Sequence, residues 1–268
     1  MLISATSALV LNWTSKDIWK SKNAREYFES LDLNEGESLL IKFSDQEKYM
    51  HTQSVTNRKY FVRKHIVEFL KENKKGQVII LAAGIAPLSV EIASLFPESI
   101  VFDIDKYSMP EKEKHLNNNC PNIKFIEADI TNTEFLKRAL IKNGWNPGRP
   151  SILVMEGITY YLLENDLKNI LHFFAVNKAR LVADFGLKPE CVNEKNRVFG
   201  VEVFRKIKES VGLDFVNFYE PAYFIKLVKE CGFENPKRFI MNYIQLERTG
   251  QKDPFNFEES GWISLVKN

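Results

Sequence analysis

The chain lacks most of the features that staple, anchor or strongly charge a protein. Only three of its 268 residues are cysteine (Cys120, Cys191 and Cys231), far apart, odd in number and without a C-x-x-C pair. That pattern excludes a disulfide framework and a zinc site and fits the reduced thiols of a cytosolic protein. No run approaches the roughly 20 apolar residues that span a bilayer. The apolar start, Met1 to Leu11, lacks a basic flank and a small-residue cleavage site and gives way to Thr14-Ser15-Lys16-Asp17. Neither a signal peptide nor a membrane segment is expected, and the predicted location is the cytoplasm. An excess of one charge is missing too. Lys+Arg total 37 and Asp+Glu 35, leaving +2, which argues against a dedicated nucleic-acid or membrane-surface protein. Nor is there a G-x-G-x-x-G, the three-glycine loop that brings a dinucleotide pyrophosphate onto a helix N-terminus.

What remains is an ordinary globular composition, 44% hydrophobic and 27% charged, long enough to bury a core without covalent help. Up to about residue 75 the apolar residues recur at helical spacing, through Ile18, Trp19, Tyr27 and Phe28 and again from Tyr60 to Leu70, with one candidate strand at Ser38–Ile41. The period then changes. Apolar runs at 77–81, 99–105, 123–126, 151–155 and 180–185 alternate with helical patterns at 88–95, 109–117, 133–142 and 164–174, which predicts parallel βαβ units. After Gly186 come a helical stretch around Val201, Phe204 and Ile207 and a helix at 221–231. Two further runs, 238–246 and 261–266, joined by a polar loop with Gly250 and Pro254, suit an antiparallel pair at a sheet edge. The expectation is a single α/β domain over 1–268. It has a helical cap (1–75), a ligand-binding core (76–187), a helical insertion after the fifth strand (188–235) and antiparallel edge strands (236–268) on a mostly parallel seven-stranded sheet.

In such a sheet, ligands bind beyond the carboxyl ends of the strands, near the point where strand order reverses. The first strand ends in Ala82-Ala83-Gly84, small enough for a ligand to approach the backbone. The second ends in Asp103 and Asp105, roughly twenty residues on, where a carboxylate can accept from ribose hydroxyls. The third leads to Asp129-Ile130 and the fourth to Glu156-Gly157. Acids at three strand ends repel a diphosphate but suit a ligand with a sulfonium, an ammonium and an exocyclic amine, which describes S-adenosylmethionine. Each residue also has a plainer reading. Asp129 is placed to cap a helix, Asp103 to cap or be solvated, and Glu156 to sit in an exposed turn. Arg63 shares a helix with Lys59, Lys64 and Glu68 as if on a solvated face.

Taken in order, Tyr60-Phe61-Val62-Arg63-Lys64-His65, the strand and turn 77–84, Val101–Asp105, Ala128-Asp129-Ile130 and Glu156–Leu162 resemble the leucine carboxyl methyltransferase family. The resemblance covers about residues 57 to 165 and is fainter at Asn196–Gly200. It implies the Rossmann-like class I methyltransferase fold and S-adenosylmethionine as cofactor. It further implies that Arg63 pairs with the cofactor's carboxylate, Ala82 and Gly84 line its methionine and ribose, and Asp105 holds the ribose. Asp129 and Ile130 would meet the adenine, Glu156 would lie by the methionine end, and Tyr161 would face the transferred methyl. Two departures fall on one loop: the family has a glycine where Ala82 stands and an Asp-Thr-Arg-like run where this chain has Ala86-Pro87-Leu88. A basic N-terminal residue of the family has no counterpart in the apolar stretch from Leu9 to Trp13.

The expected activity is S-adenosylmethionine-dependent O-methylation of a carboxylate on a small molecule or peptide end. No nucleic-acid partner, membrane or metal is expected, and no general base is required. A hydroxyl acceptor would need one, with Glu156 or His65 the first suspects. The competing readings are a non-catalytic binder of the S-adenosyl cofactor and an NAD-dependent oxidoreductase, the latter disfavoured by the missing glycines.

Overall fold

A computed structural model of the chain describes residues 5–116, 120–192, 194–211, 216–251 and 263–268. Four helices precede the sheet: α1 (Ala5–Asn12), α2 (Lys22–Glu29), α3 (Asn34–Leu40) and the long α4 (Asp45–Glu72). The start of α4 is fixed by a capping box, in which Ser44 Oγ accepts from the Glu47 amide and the Glu47 carboxylate accepts from the Ser44 amide at 2.7 Å. Of the candidate strand at 38–41, residues 38–40 lie instead in α3 and Ile41 caps it. A short apolar run does not distinguish a strand from a buried helical segment, and here the helix is selected by packing on α1. Gly36 of α3 lies so close that a Cβ there would stand 2.4 Å from the Ala8 carbonyl carbon.

The alternation follows as expected: β1 (Gln77–Leu81), α5 (Leu88–Leu95), β2 (Ile100–Asp105), α6 (Met109–His115), β3 (Ile123–Glu127), α7 (Thr133–Lys142), β4 (Ser151–Met155), α8 (Glu164–Val176) and β5 (Arg180–Gly186). Every residue of β1 and β4 is buried, which explains why neither shows a polar alternation. Then come α9 (Glu194–Val211), α10 (Pro221–Glu230), β6 (Lys237–Ile240), α11 (Met241–Thr249) and β7 (Ile263–Lys267).

The seven strands lie in the order β3-β2-β1-β4-β5-β7-β6, with β7 antiparallel to both neighbours. The antiparallel pair is present but shorter than its apolar run. The chain leaves the sheet at Ile240, and 241–249 form α11, which turns back along α4, where Arg248 donates to Asn57 Oδ1 and Gln53 Oε1 at 2.7 Å each. Pro254, Gly261 and Trp262 lie outside the described residues. Among those described, no helix is long and apolar enough to cross a membrane.

Candidate active site

Strand order reverses between β1 and β4, and a cavity of ≈ 910 Å³, counted out to its open mouth, sits at their carboxyl ends. Its floor is the turn after β1. Ala82 and Gly84 both hold positive φ, 52° and 53°. Thus Ala82 keeps the left-handed shape that a glycine adopts freely, at a cost of roughly 1–2 kcal/mol for an L-residue. The loop is pinned from two sides. On one, the Gly84 amide donates to Asp105 Oδ2 at 2.8 Å, while Asp105 Oδ1 accepts from the Tyr107 amide. From behind, the fully buried Lys112 pairs with Asp103 at 2.8 Å and donates to the carbonyls of Gly84 and Ala86. Asp103 is therefore neither solvated nor a cap; it is the counter-ion of the lysine that fixes the loop. Ala86 and Leu88, from the run that departs from the family pattern, line the cavity.

The roof is α1, whose Thr6, Ser7, Val10 and Leu11 face the cavity. The stretch without a basic counterpart is thus an apolar cover.

One wall comes from the middle of α4 and the other from the turn after β4. The Glu156 side chain is only 8% exposed rather than lying open in a turn. Its Oε1 accepts from Arg58 Nε at 3.2 Å and from Lys59 Nζ at 2.8 Å. Burial works against its charge, but Lys59 and Arg58 outweigh it and hold the pKa below the ordinary carboxylate value. For Lys59, burial prevails over the attraction of Glu156 and lowers the pKa. Arg58 also donates to the Tyr160 hydroxyl at 3.0 Å and reaches Asp184 Oδ2 at 3.5 Å. Asp184, fully buried near the end of β5, accepts from the Gly157 amide at 2.6 Å, and its carbonyl accepts from Thr159 Oγ1. Tyr160 and Tyr161 both line the cavity; Tyr160 is buried, while Tyr161 is half-buried with its pKa pushed up to about 12 by burial.

The remaining expected residues lie elsewhere. Arg63 is not among the residues lining the cavity. It sits one turn beyond Lys59 on α4, about 6 Å further along the axis, and donates to the fully buried Glu91, which also accepts from the amides of Lys20 and Ser21. Arg63 thus joins α4 to α5 and to the start of α2. Asp129 closes its own turn, accepting from the amide and hydroxyl of Thr131, and pairs with Lys106 at 2.9 Å; the helix cap is Asn132. Ile130 is buried beside it. His65 pairs with Glu68 under Phe239, outside the cavity lining, with its pKa lowered to about 4 chiefly by burial.

Arg58 and Asp184 escaped the sequence reading, Lys59 was placed on a solvated face, and Tyr160 was given no role. A usable signal was there. Val55, Val62 and Ile66 form the buried stripe of α4, and Arg58 and Lys59 fall on it at helical spacing, which marks them as inward charges. Asp184 likewise interrupts an apolar strand.

The profile of the leucine carboxyl methyltransferase family matches residues 15–175. No curated protein matches the chain. Among solved structures, a putative methyltransferase from Thermobifida fusca is similar at TM-score 0.65 and 18% identity, covering 97% of this chain and 92% of that one. A DUF574 family protein from Streptomyces avermitilis gives TM-score 0.62 and 16% identity, covering 95% and 99%. Magnesium protoporphyrin IX methyltransferase from Synechocystis, solved with bound S-adenosylhomocysteine, gives 0.51 and 13%, covering 90% and 95%. At these identities the likeness is one of fold.

Proposed function

The chain belongs to the leucine carboxyl methyltransferase family and is an S-adenosylmethionine-dependent methyltransferase, and from that premise we propose that it methylates a carboxylate oxygen. The acceptor would be a small molecule or a peptide end, met in the cytoplasm. The observation that carries this reading is the state of Glu156. It is the one carboxylate lining the cavity among the described residues, it is committed to two cations, and its pKa is lowered. A carboxylate held in its ionised form is a poor proton acceptor, so the site favours an acceptor that arrives already ionised. A hydroxyl acceptor would need a base, and His65 does not line the cavity.

The residues present fit the cofactor. The turn Ala82-Ala83-Gly84 leaves room that larger side chains would fill, and a buried carboxylate beside two buried cations suits a ligand carrying both signs of charge. In this proposal Ala82, Gly84 and Glu156 surround the methionine end. Asp105, Asp129 and Ile130 flank the ribose and adenine, and Arg63 contributes by holding α4 in place. S-adenosylmethionine, when bound, supplies a methyl group on a positively charged sulfur. Around it the apolar roof of Val10 and Leu11 excludes water, which strips an acceptor carboxylate of solvent and strengthens its attraction to positive charge. The Tyr161 hydroxyl donates a hydrogen bond that aims the acceptor.

The test is a methyl-transfer screen with cofactor labelled in the methyl group against carboxylate-bearing metabolites and peptides. Base-labile labelled product, as expected of a methyl ester, supports the reading. Base-stable product would redirect it to a hydroxyl acceptor, and cofactor binding without any transfer would mark a non-catalytic binder.

A further inference from the structure

Tyr161 lines the cavity, yet among the described residues no hydrogen bond reaches its hydroxyl. Where that hydroxyl points is therefore decided by the backbone that carries it and the rings around it. The Tyr161 amide donates to the Ile158 carbonyl at 2.9 Å and closes the short 3₁₀ turn Thr159–Tyr161. The end of such a turn leaves carbonyls without a helical partner. The neighbours on either side, Tyr160 and Leu162, are both buried, so their carbonyls must find donors within the protein. One residue supplies both. The Asn217 amide donates to the Tyr160 carbonyl at 2.8 Å, and Asn217 Nδ2 donates to the Leu162 carbonyl at 2.5 Å.

Asn217 is itself fixed where the chain returns to the sheet after α9. The Tyr219 amide donates to the Gly186 carbonyl at the end of β5, and the Tyr219 carbonyl accepts from the Lys188 amide. Phe218 covers Gly186 so closely that a Cβ there would stand 2.9 Å from its ring. The same ring meets Phe204 of α9 edge-on, and Phe204 meets Tyr160. Any residue but proline could make the backbone bond to Tyr160, but the bond to Leu162 needs a side-chain donor; an aspartate of the same shape would turn an acceptor toward a carbonyl. Asn217 does not line the cavity, so it acts only through the turn. Resting on the reading in which Tyr161 aims the acceptor, we propose that Asn217 is a positioning residue for methyl transfer. It clamps the carbonyls on both sides of Tyr161 and so holds the hydroxyl toward the acceptor, touching neither acceptor nor cofactor.

The experiment joins a spectroscopic signature to turnover. With 3-fluorotyrosine at position 161, fluorine NMR of the otherwise wild-type chain is expected to show one narrow resonance, which shifts or splits in Asn217→Asp and Asn217→Ala. Titrated S-adenosylhomocysteine is expected to bind both variants within twofold of the wild type. Label transfer to the carboxylate metabolites and peptides of the screen is expected to fall about fivefold or more, the scale of one lost hydrogen bond. On a Tyr161→Phe background the same substitutions are expected to cost less than twofold, because the group they position is gone. Asn217→Asp keeps the size and the backbone bond, and it decides the matter should Asn217→Ala not fold. A resonance unmoved in both variants would overturn the proposal, as would a shift without loss of transfer or an equal loss on the Tyr161→Phe background. A tenfold loss of S-adenosylhomocysteine would make Asn217 a support of the whole site and overturn it too. A wild type that transfers no label to these carboxylates would overturn the acceptor reading itself, and the proposal with it.

Discussion

Replacing Gly36 by alanine ought, on helix propensity alone, to stabilise α3 by about 1 kcal/mol. The structure reverses the sign. A Cβ on residue 36 would stand 2.4 Å from the Ala8 carbonyl carbon, 2.5 Å from the Leu9 nitrogen and 2.7 Å from the Ala8 oxygen. All three are backbone atoms, so no side chain can swing aside, and ordinary contact requires α1 to retreat by about 1 Å. Overpacking of this kind costs about 1–3 kcal/mol, which outweighs the propensity gain in most of that range. The displaced helix is also the roof of the cavity, through Thr6, Ser7, Val10 and Leu11. Gly36→Ala is therefore expected to lower the melting temperature by about 2–6 °C and to weaken S-adenosylhomocysteine binding about fivefold or more. Differential scanning calorimetry and isothermal titration on the same preparations give both readings. A variant that melts at or above the wild-type temperature and binds the nucleoside equally well would refute the argument. It would mean that α1 does not seat on α3 as described.

The two acids of β2 should separate cleanly. Asp103→Ala leaves the buried Lys112 without its counter-ion and is expected to cost about 3–5 kcal/mol of stability, whereas Asp105→Ala frees the Gly84 amide and is expected to act chiefly on cofactor affinity. Equal melting temperatures for the two would contradict this division. Tyr161→Phe is expected to leave cofactor binding and melting nearly unchanged while lowering methyl-transfer efficiency about tenfold; unaltered kinetics would remove its hydroxyl from the acceptor site. Burial lowers the pKa of His51, packed between Trp13 and Phe43, to about 3. The unfolded chain therefore takes up a proton below about 6.5 that the folded chain refuses, and stability falls as pH drops through that window. Between pH 7 and 5 the loss from this residue is about 2 kcal/mol, with His65 adding in the same direction. Denaturant titrations of wild type and His51→Gln should show the slope about halved in the variant, the remainder belonging to His65, and an undiminished slope would locate the proton uptake elsewhere.

The sheet was readable because its signal is local. Continuous β-branched runs such as Val78-Ile79-Ile80-Leu81 say "buried on both faces" without reference to anything distant, and β1, β4, β5 and α7 fall where periodicity puts them. Ser38–Ile41 and 241–246 were misread because each is a short apolar run whose conformation is settled by a remote partner, α1 in one case and α4 in the other. The candidate site was legible in part at the strand ends: Ala82, Gly84 and Glu156 line the cavity, and Asp105 braces the turn beside it. It was not legible on α4. Lys59 and Arg63 stand one turn apart on an amphipathic helix, and only the height of the strand ends beside it decides which cation enters the cavity and which meets Glu91.

Asp184 draws Gly157, Thr159 and Arg58 onto the end of β5, while α1 is seated by α3 and touches α9. The cavity therefore has a charged base riveted to the sheet and a cover that packs mainly on another helix, α3. The two can wear separately. Transient lifting of the cover needs no strand to part, so a change that unseats α1 loosens the ligand from above while the charged base stays in place.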